Sequence, residues 1–510
     1  MLDNLQSASD APTTSSRTLR SIAWNYAGYF YQIAINLGVT SYIVRRVSVA
    51  EYGLLLFVMS LSATLYLLDI GISSVLVQAY VEALASSDRS RPTDLLNTVF
   101  LALSALGSLG LLIISALAFL LPGPFNIPHQ LVHEAFIIFI LAALAIQVSF
   151  PSMAFEHLYQ ATHRFDRINQ IQLICSTVQA ALSILALAAG YGIVALALVQ
   201  LVASTLRFVF FVAALPKTTL RAHFHLTRFN WNLLKPLISM SRWAFLNNIS
   251  ACLFDMFVWI ILGSFGSMKA AALFGLASKA PKQLWNLVDR GAGVALPMMS
   301  NSFSQRNLGS LQATYLKTQK LIFGAVIPFV ALGCMFARPL IQVWVGSQYL
   351  EAAVVMRWLL LAALSHAVTY SSDLLLYACA EVRKAAKIAF WSGALSIGGA
   401  LILVSRFGAA GMAAALGLTQ LTVNCTWFTV AACERSQISL TKLLSSLCEG
   451  LGLPLCLLAA EIVLVRSFSS RLSPLGLLLA ATVSGAVYLA FWGAHTALPL
   501  YRGQLLGDAQ

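Results

Sequence analysis

Residues 274–299 read FGLASKAPKQLWNLVDRGAGVALPMM. The stretch has the length of a membrane-spanning helix and sits among runs of Leu, Ala, Ile and Phe. It also carries Lys279, Lys282, Asp289, Arg290, Pro281 and Pro297. A charge at the centre of a spanning helix costs about 2.5–3.5 kcal/mol on the insertion scale, so four cost on the order of 10–14 kcal/mol. Its roughly eight strongly apolar residues return only about 0.3–0.6 kcal/mol each. A helix with that balance cannot face lipid on all sides. At 100° per residue, Lys279, Lys282, Asn286, Asp289 and Arg290 fall within a sector of roughly 100°, with Leu284 and Trp285 off it. One polar stripe on a spanning helix implies a water-filled cavity or an internal ion pair. Pro281 and Pro297 make the helix bendable.

The surrounding chain is a membrane protein by composition. Its 510 residues are 59% hydrophobic and 10% charged, against roughly 25% charged in soluble domains. No alternating ten-residue strands occur, so a β-barrel is not expected. A bundle of helices is the remaining way to satisfy backbone groups in lipid. We read an all-α polytopic fold of about fourteen spans: 21–44, 54–81, 95–121, 135–155, 169–189, 191–214, 237–263, 273–299, 316–337, 352–379, 385–404, 409–432, 443–465 and 475–498. The first 20 residues read as a disordered cytoplasmic tail without a cleavable signal.

Charge sets the orientation. With the N-terminus inside, 19 of the 32 Lys and Arg residues fall in cytoplasmic segments, seven outside and six within spans. That bias places both termini in the cytoplasm. The net charge of +13 is scattered through short loops in no block, which argues against nucleic acid. The eight cysteines lie in or beside apolar segments without a CxxC pair and read as small buried hydrophobes rather than disulfide or metal ligands. His129 and His133 stand at i, i+4 in an external loop after a proline, a poor zinc site. No Walker-type loop or nucleophile elbow is present, so ATP hydrolysis and acyl transfer have no candidate residues. The external loops are short, the longest being 122–134 and 338–350. A membrane glycosyltransferase or polymerase reading therefore lacks an acceptor domain.

The chain also repeats. The basic, aromatic loop 216–236 divides it near its middle, and the character of that loop suits the membrane surface. Tyr52-Gly53 and Asp69-x-Gly71 in the first half return as Phe274-Gly275 and Asp289-x-Gly291 in the second. Six spans separate the copies, so both halves have the same orientation. Transporters built from such parallel repeats bind substrate between the halves. The expected organisation is a tail (1–20), an N-lobe (21–215), a linker (216–236), a C-lobe (237–432) and an appended helix pair with a C-terminal tail (433–510). The first two spans of each half carry most of the polar burden: Asn25, Tyr26, Tyr29, Tyr31, Gln32 and Asn36; Asp69; Arg242, Asn247, Asn248 and Asp255; and the opening stretch. Span ten adds Arg357, His366, Tyr370 and Asp373. His366 stands two turns before Asp373, where either a pH-linked role or a satisfied interior histidine fits.

These residues carry a family resemblance. RRVSVAEYGLLLFVMSLSATLYLLDIGISSVLVQ (45–78) resembles the opening of Wzx-type polysaccharide flippases, matching at Arg46, Tyr52, Gly53, Leu68, Asp69 and Gly71. YQATHRFDRIN (159–169) looks like the link between that family's fourth and fifth helices. Pro297 and the 327–349 stretch, with Pro328, Pro339, Trp344 and Gly346, are similar too. The chain departs from the pattern at Val47-Ser48 and Gln78. The resemblance implies two six-helix lobes around a V-shaped cavity lined by spans one, two, seven and eight, with spans thirteen and fourteen appended. It also implies a bacterial inner-membrane flippase that moves undecaprenyl-diphosphate-linked oligosaccharide outward, with membrane lipids and other polysaccharide-assembly membrane proteins as partners. On that reading Lys279, Lys282, Arg290 and Arg242 meet the pyrophosphate, and Asn25 and Tyr29 meet sugar. Asp69, Asp255, Asp289 and Asp373 couple an ion, H+ or Na+, or balance cavity charge. No cofactor is expected. An ion-coupled drug exporter of the same superfamily and a peptidoglycan-precursor flippase are the alternatives.

Overall fold

The structure is a computed structural model that describes residues 15–69, 72–86, 88, 90–120, 125–215, 229–293, 295–467 and 473–497. Residues 1–14 of the expected tail, 216–228 of the expected linker and 498–510 lie outside the described residues. Among the described residues the chain is helical throughout and contains no strand. The elements are α1 (Ser15–Val44), α2 (Val49–Thr64), a 3-10 turn (Leu65–Asp69), α3 (Ile72–Ala85), α4 (Arg91–Leu120), α5 (Val132–Ala161), α6 (Phe165–Ala188), α7 (Ile193–Ala213) and α8 (Trp231–Phe265). They continue with α9 (Met268–Ala292), α10 (Ala295–Ser304), α11 (Leu308–Met335), α12 (Ala337–Trp344), α13 (Ala352–Ala378), α14 (Val382–Thr419), α15 (Cys425–Ser436), α16 (Leu440–Ser467) and α17 (Pro474–Trp492).

Each expected span lies largely on helix among the described residues, with span two interrupted by the 3-10 turn Leu65–Asp69. Eight of the described helices are long and apolar enough to cross a membrane, and a ninth joins them if the bent pair Leu440–Cys448 and Leu451–Val465 is one span. Helix α9, which carries Lys279, Lys282 and Asp289, is not among them. Spans eleven and twelve meet at Gly408, whose φ of 54° and ψ of −130° break the helical path. An L side chain disfavours that conformation, so glycine marks the turn.

The chain divides into two compact units. The first comprises Met1–Val47, Leu65–Leu120 and His133–Leu246; the second comprises Ser48–Thr64, Leu121–Val132 and Asn247–Gln510. In the first unit α1 packs on α6 through a Tyr31–Thr177 hydroxyl contact of 3.0 Å. The α6–α7 pair is tied by Gln179 Nε2 donating to Gln200 Oε1 at 2.6 Å. Its aromatic centre is Phe100, Phe155 and Phe208, with ring centroids 5.8–6.3 Å apart. The second unit is built on α13, which meets α9, α11 and α14. Its small residues Ser365, Ser371 and Ser372 are almost fully buried, and two of them bond to other elements. Ser372 pairs with Tyr315 at 2.9 Å, and Ser365 donates to the Gln420 carbonyl. Small hydroxyl residues let helices approach closely where lipid offers no hydrophobic drive.

The repeated aromatic-Gly pair has a packing cause within this unit. A Cβ on Gly53 of α2 would lie 1.8 Å from the Met268 carbonyl oxygen of α9, and one on Gly275 of α9 would lie 2.5 Å from Leu56 of α2. Each helix thus presents its glycine to the other. The two obstacles differ: a backbone carbonyl cannot yield, whereas the Leu56 side chain can swing.

Two helix ends share one kind of turn. The helix at Ala161 ends with His163 at φ 55°, and the helix at Ala378 ends with Ala380 at φ 61°. At the first, the amides of His163 and Arg164 donate to the Gln160 and Tyr159 carbonyls at 3.0 and 2.9 Å; at the second, those of Ala380 and Glu381 donate to Tyr377 and Leu376 at 3.0 and 2.8 Å. Both are the same double-bonded helix cap. Glycine usually fills the left-handed position, and here histidine and alanine do.

Two outcomes are expected for this packing. Gly53→Ala costs on the order of 3 kcal/mol through overpacking, with Gly275→Ala milder, as read by thermal unfolding of the purified protein in detergent. Ala380→Gly raises stability by about 1 kcal/mol in the same measurement, because the left-handed conformation costs an L residue roughly that much.

Candidate functional site

Helix α9 begins at Ser267, whose side chain accepts from the Ala270 amide at 3.1 Å. It then runs unbroken through Pro281 to Ala292. Ala277, Pro281, Leu284, Val288 and Ala292 are buried, at spacings of three and four, and form the packed face. Lys282 and Asn286 are exposed, and Lys279 and Asp289 are half-buried. The helix therefore has the two faces that its charge pattern demands. Burying Pro281 in the packed face removes one backbone donor where no solvent could replace it.

Asp289 reaches α13. His366 Nε2 donates to Asp289 Oδ1 at 2.9 Å, with His366 20% and Asp289 45% exposed. Trp285, one turn before Asp289, stacks on the His366 ring with centroids 4.6 Å apart and planes 16° apart. Tyr370 lies one turn further along α13, 5.3 Å from the histidine ring. Asp373 is within electrostatic reach of His366. Two carboxylates, an imidazole, an indole and a phenol thus converge on the α9–α13 contact. Such a cluster can take up or release a proton at the imidazole, and its carboxylates can attract a cation.

The structure brings Lys279, Lys282 and Asp289 onto one helix and joins Asp289 to the α13 group that includes Asp373. Asp69 is in the first unit, 7% exposed, where the Ser73 amide donates to its Oδ2 at 3.1 Å. The side chains of Asn25, Tyr29, Arg242, Asp255 and Arg290 lie outside the described residues. His366 is the member that sequence reading left between two roles. The Asp289–Trp285 spacing of one turn and the histidine of span ten were the available signals, but nothing in sequence joins residues 77 positions apart.

Other in-span charges are satisfied locally. Arg207 of α7 pairs with Glu156 of α5 at 2.6 Å within the first unit. Arg207 is one of the six basic residues within spans, and its partner is 51 positions away in the sequence. Arg357 of α13 donates through Nε to the Cys334 carbonyl at 2.9 Å, a backbone acceptor no sequence pattern reveals. Lys269 and Glu351 pair at 2.8 Å near the ends of α9 and α13, both more than half exposed. Among the described residues no group of three His, Cys, Asp or Glu side chains is placed to hold a metal ion.

The Glu156–Arg207 pair is expected to show coupling. Glu156→Gln and Arg207→Gln each lower stability, and the double variant loses less than the sum by about 1–2 kcal/mol. A double-mutant cycle on chemical unfolding in micelles measures it.

A model of the family described as "Polysaccharide biosynthesis protein" matches residues 43–354. No curated protein matches the chain. Among solved structures, the chain is similar to the lipid II flippase MurJ in an inward closed conformation, at 12% identity and a TM-score of 0.70, covering 92% of this chain and 98% of that one. It is also similar to an inward-facing multidrug resistance MATE family transporter of the MOP superfamily, at 15% identity and a TM-score of 0.67, covering 80% and 95%. A third likeness is to a MOP superfamily transporter from Pyrococcus furiosus Vc1, at 15% identity and a TM-score of 0.54, covering 80% and 93%. At these identities the likeness is one of fold.

Proposed function

Because the chain belongs to the polysaccharide biosynthesis protein family, we propose that it is a flippase for an undecaprenyl-diphosphate-linked oligosaccharide repeat unit. It works by alternating access in the bacterial inner membrane, with both termini in the cytoplasm, and serves exopolysaccharide, capsule or O-antigen assembly. The observation that carries the reading is the cationic stripe of α9, where Lys279 and Lys282 stand on the face opposite its buried residues. A diphosphate is the charged part of such a lipid, and it needs cations where the dielectric constant is low. Arg242 and Arg290 are the further cations assigned to it, and Asn25 and Tyr29 the contacts to sugar. Asp69, Asp255, Asp289 and Asp373 balance these charges or bind the coupling ion, H+ or Na+. The fold shared with a lipid II flippase supports a glycolipid cargo.

The fold shared with a multidrug transporter supports a second reading, an exporter of lipophilic cations. The lysines on α9 weigh against it, since they repel cationic cargo. Growth protection against such compounds on expression of the chain separates the two.

In the flippase, Lys279→Ala with Lys282→Ala is expected to insert normally yet leave glycolipid on the cytoplasmic leaflet. Surface polysaccharide then falls at least about tenfold, the equivalent of 1.4 kcal/mol, and the Arg double variant restores most of it. Full export by the alanine pair overturns the diphosphate role.

A further inference from the structure

The two units treat a comparable acidic residue differently. In the first, Glu156 is paired with Arg207 at 2.6 Å. A guanidinium does not deprotonate in proteins, so that neutralisation is permanent. The order of the spans in the two halves sets α5 against α13, and both helices end in the same cap, at His163 and Ala380. Seven residues before each cap stand Glu156 and Asp373. The sixth span, which supplies Arg207, is matched by the twelfth, and no Lys, Arg or His occurs anywhere from Phe407 to Glu434. At no register of that span is there a cation for Asp373.

In its place the second unit has His366, within electrostatic reach of Asp373 and hydrogen-bonded to Asp289. The titratable and charged groups around the imidazole can be followed element by element. Helix α9 presents Asp289, with Lys279 and Lys282 further along the same stripe. Helix α13 itself adds Tyr370 and Asp373, and both Asp289 and Asp373 lie within electrostatic reach of Tyr370. Helix α11 offers Tyr315, whose hydroxyl pairs with Ser372, and Gln319, which donates to the Val368 carbonyl. The turn after α14 offers the Gln420 carbonyl, taken by Ser365. Imidazole is the side chain whose ordinary range of charge change lies near neutrality.

We propose that His366 is a proton-exchange site, with Asp289 as its hydrogen-bond acceptor and Asp373 as the second carboxylate. The second unit then carries a proton-linked cation where the first carries a fixed one. In the neutral form, Nε2–H donates to Asp289 and Nδ1 is unprotonated. Uptake of one proton at Nδ1 makes the imidazolium and raises the net charge of the cluster, with both carboxylates ionised, from −2 to −1. The proton strengthens the α9–α13 contact on the helix that bears Lys279 and Lys282, which couples proton occupancy to the cationic stripe. This coupling rests on the flippase reading above; the proton site does not.

The Trp285–His366 stack supplies the readout, because an imidazolium quenches indole fluorescence more strongly than a neutral imidazole. The measurement is the difference in emission between the full chain and Trp285→Phe, purified in detergent and titrated with acid. A single step is expected between about pH 5 and 8. It is lost in His366→Gln, unchanged in Glu156→Gln, and displaced in Asp289→Asn, which removes the acceptor of the imidazole N–H. No step in the native chain, or the same step in His366→Gln, overturns the site. Should His366→Gln fail to fold, the native step and its displacement in Asp289→Asn decide. In cells, collapsing the transmembrane pH gradient is expected to lower glycolipid export at least fivefold in the native chain and to change nothing in His366→Gln. Export by His366→Gln that matches the native chain and still responds to the gradient overturns the coupling. The lysine double variant bears on the diphosphate role alone.

Discussion

An ionised side chain inside hydrocarbon must find water or a counter-charge, and this restriction sorts the polar residues of the chain. Glu156 and Arg207 cancel each other by direct contact. Arg357 spends its Nε–H on a backbone carbonyl. Lys269 and Glu351 meet where both side chains remain more than half accessible. The α9 stripe keeps Lys279, Lys282 and Asp289 on one face, with Asp289 bonded to His366, and packs the other with Ala277, Pro281, Leu284 and Val288. A spanning helix with a charged face and a packed face meets something other than lipid along the charged one.

The second restriction is steric. Membrane helices gain little from the hydrophobic effect and associate through close contact of small residues. Gly53 and Gly275 bring α2 and α9 together, each against the other helix. The aromatic-Gly pair is therefore repeated for a reason of shape. Ser365 and Ser372 do comparable work on α13, where their hydroxyl groups bond to neighbouring elements.

Much of this was legible in the sequence. Hydrophobic runs of spanning length placed the helices but not their ends, which extend up to eight residues further, as at Leu308 where 316 was expected. The polar stripe of α9 followed from helical geometry, and burial at Pro281, Leu284 and Val288 agrees with it. The caps were not legible: His163 and Ala380 occupy positions where glycine would have signalled the turn. Partners on other helices were equally hidden. The Asp289–His366 and Glu156–Arg207 contacts join residues 77 and 51 positions apart, and a single sequence contains no term that links them. Composition could list the charges in spans but could not match them.

The caps have a mechanical meaning. A turn held by two backbone hydrogen bonds, as at His163–Arg164 and Ala380–Glu381, has no slack. Helices α13 and α14, which pack along one another, form a hairpin whose turn is closed by backbone alone. The end of α13 therefore sets the direction in which α14 leaves.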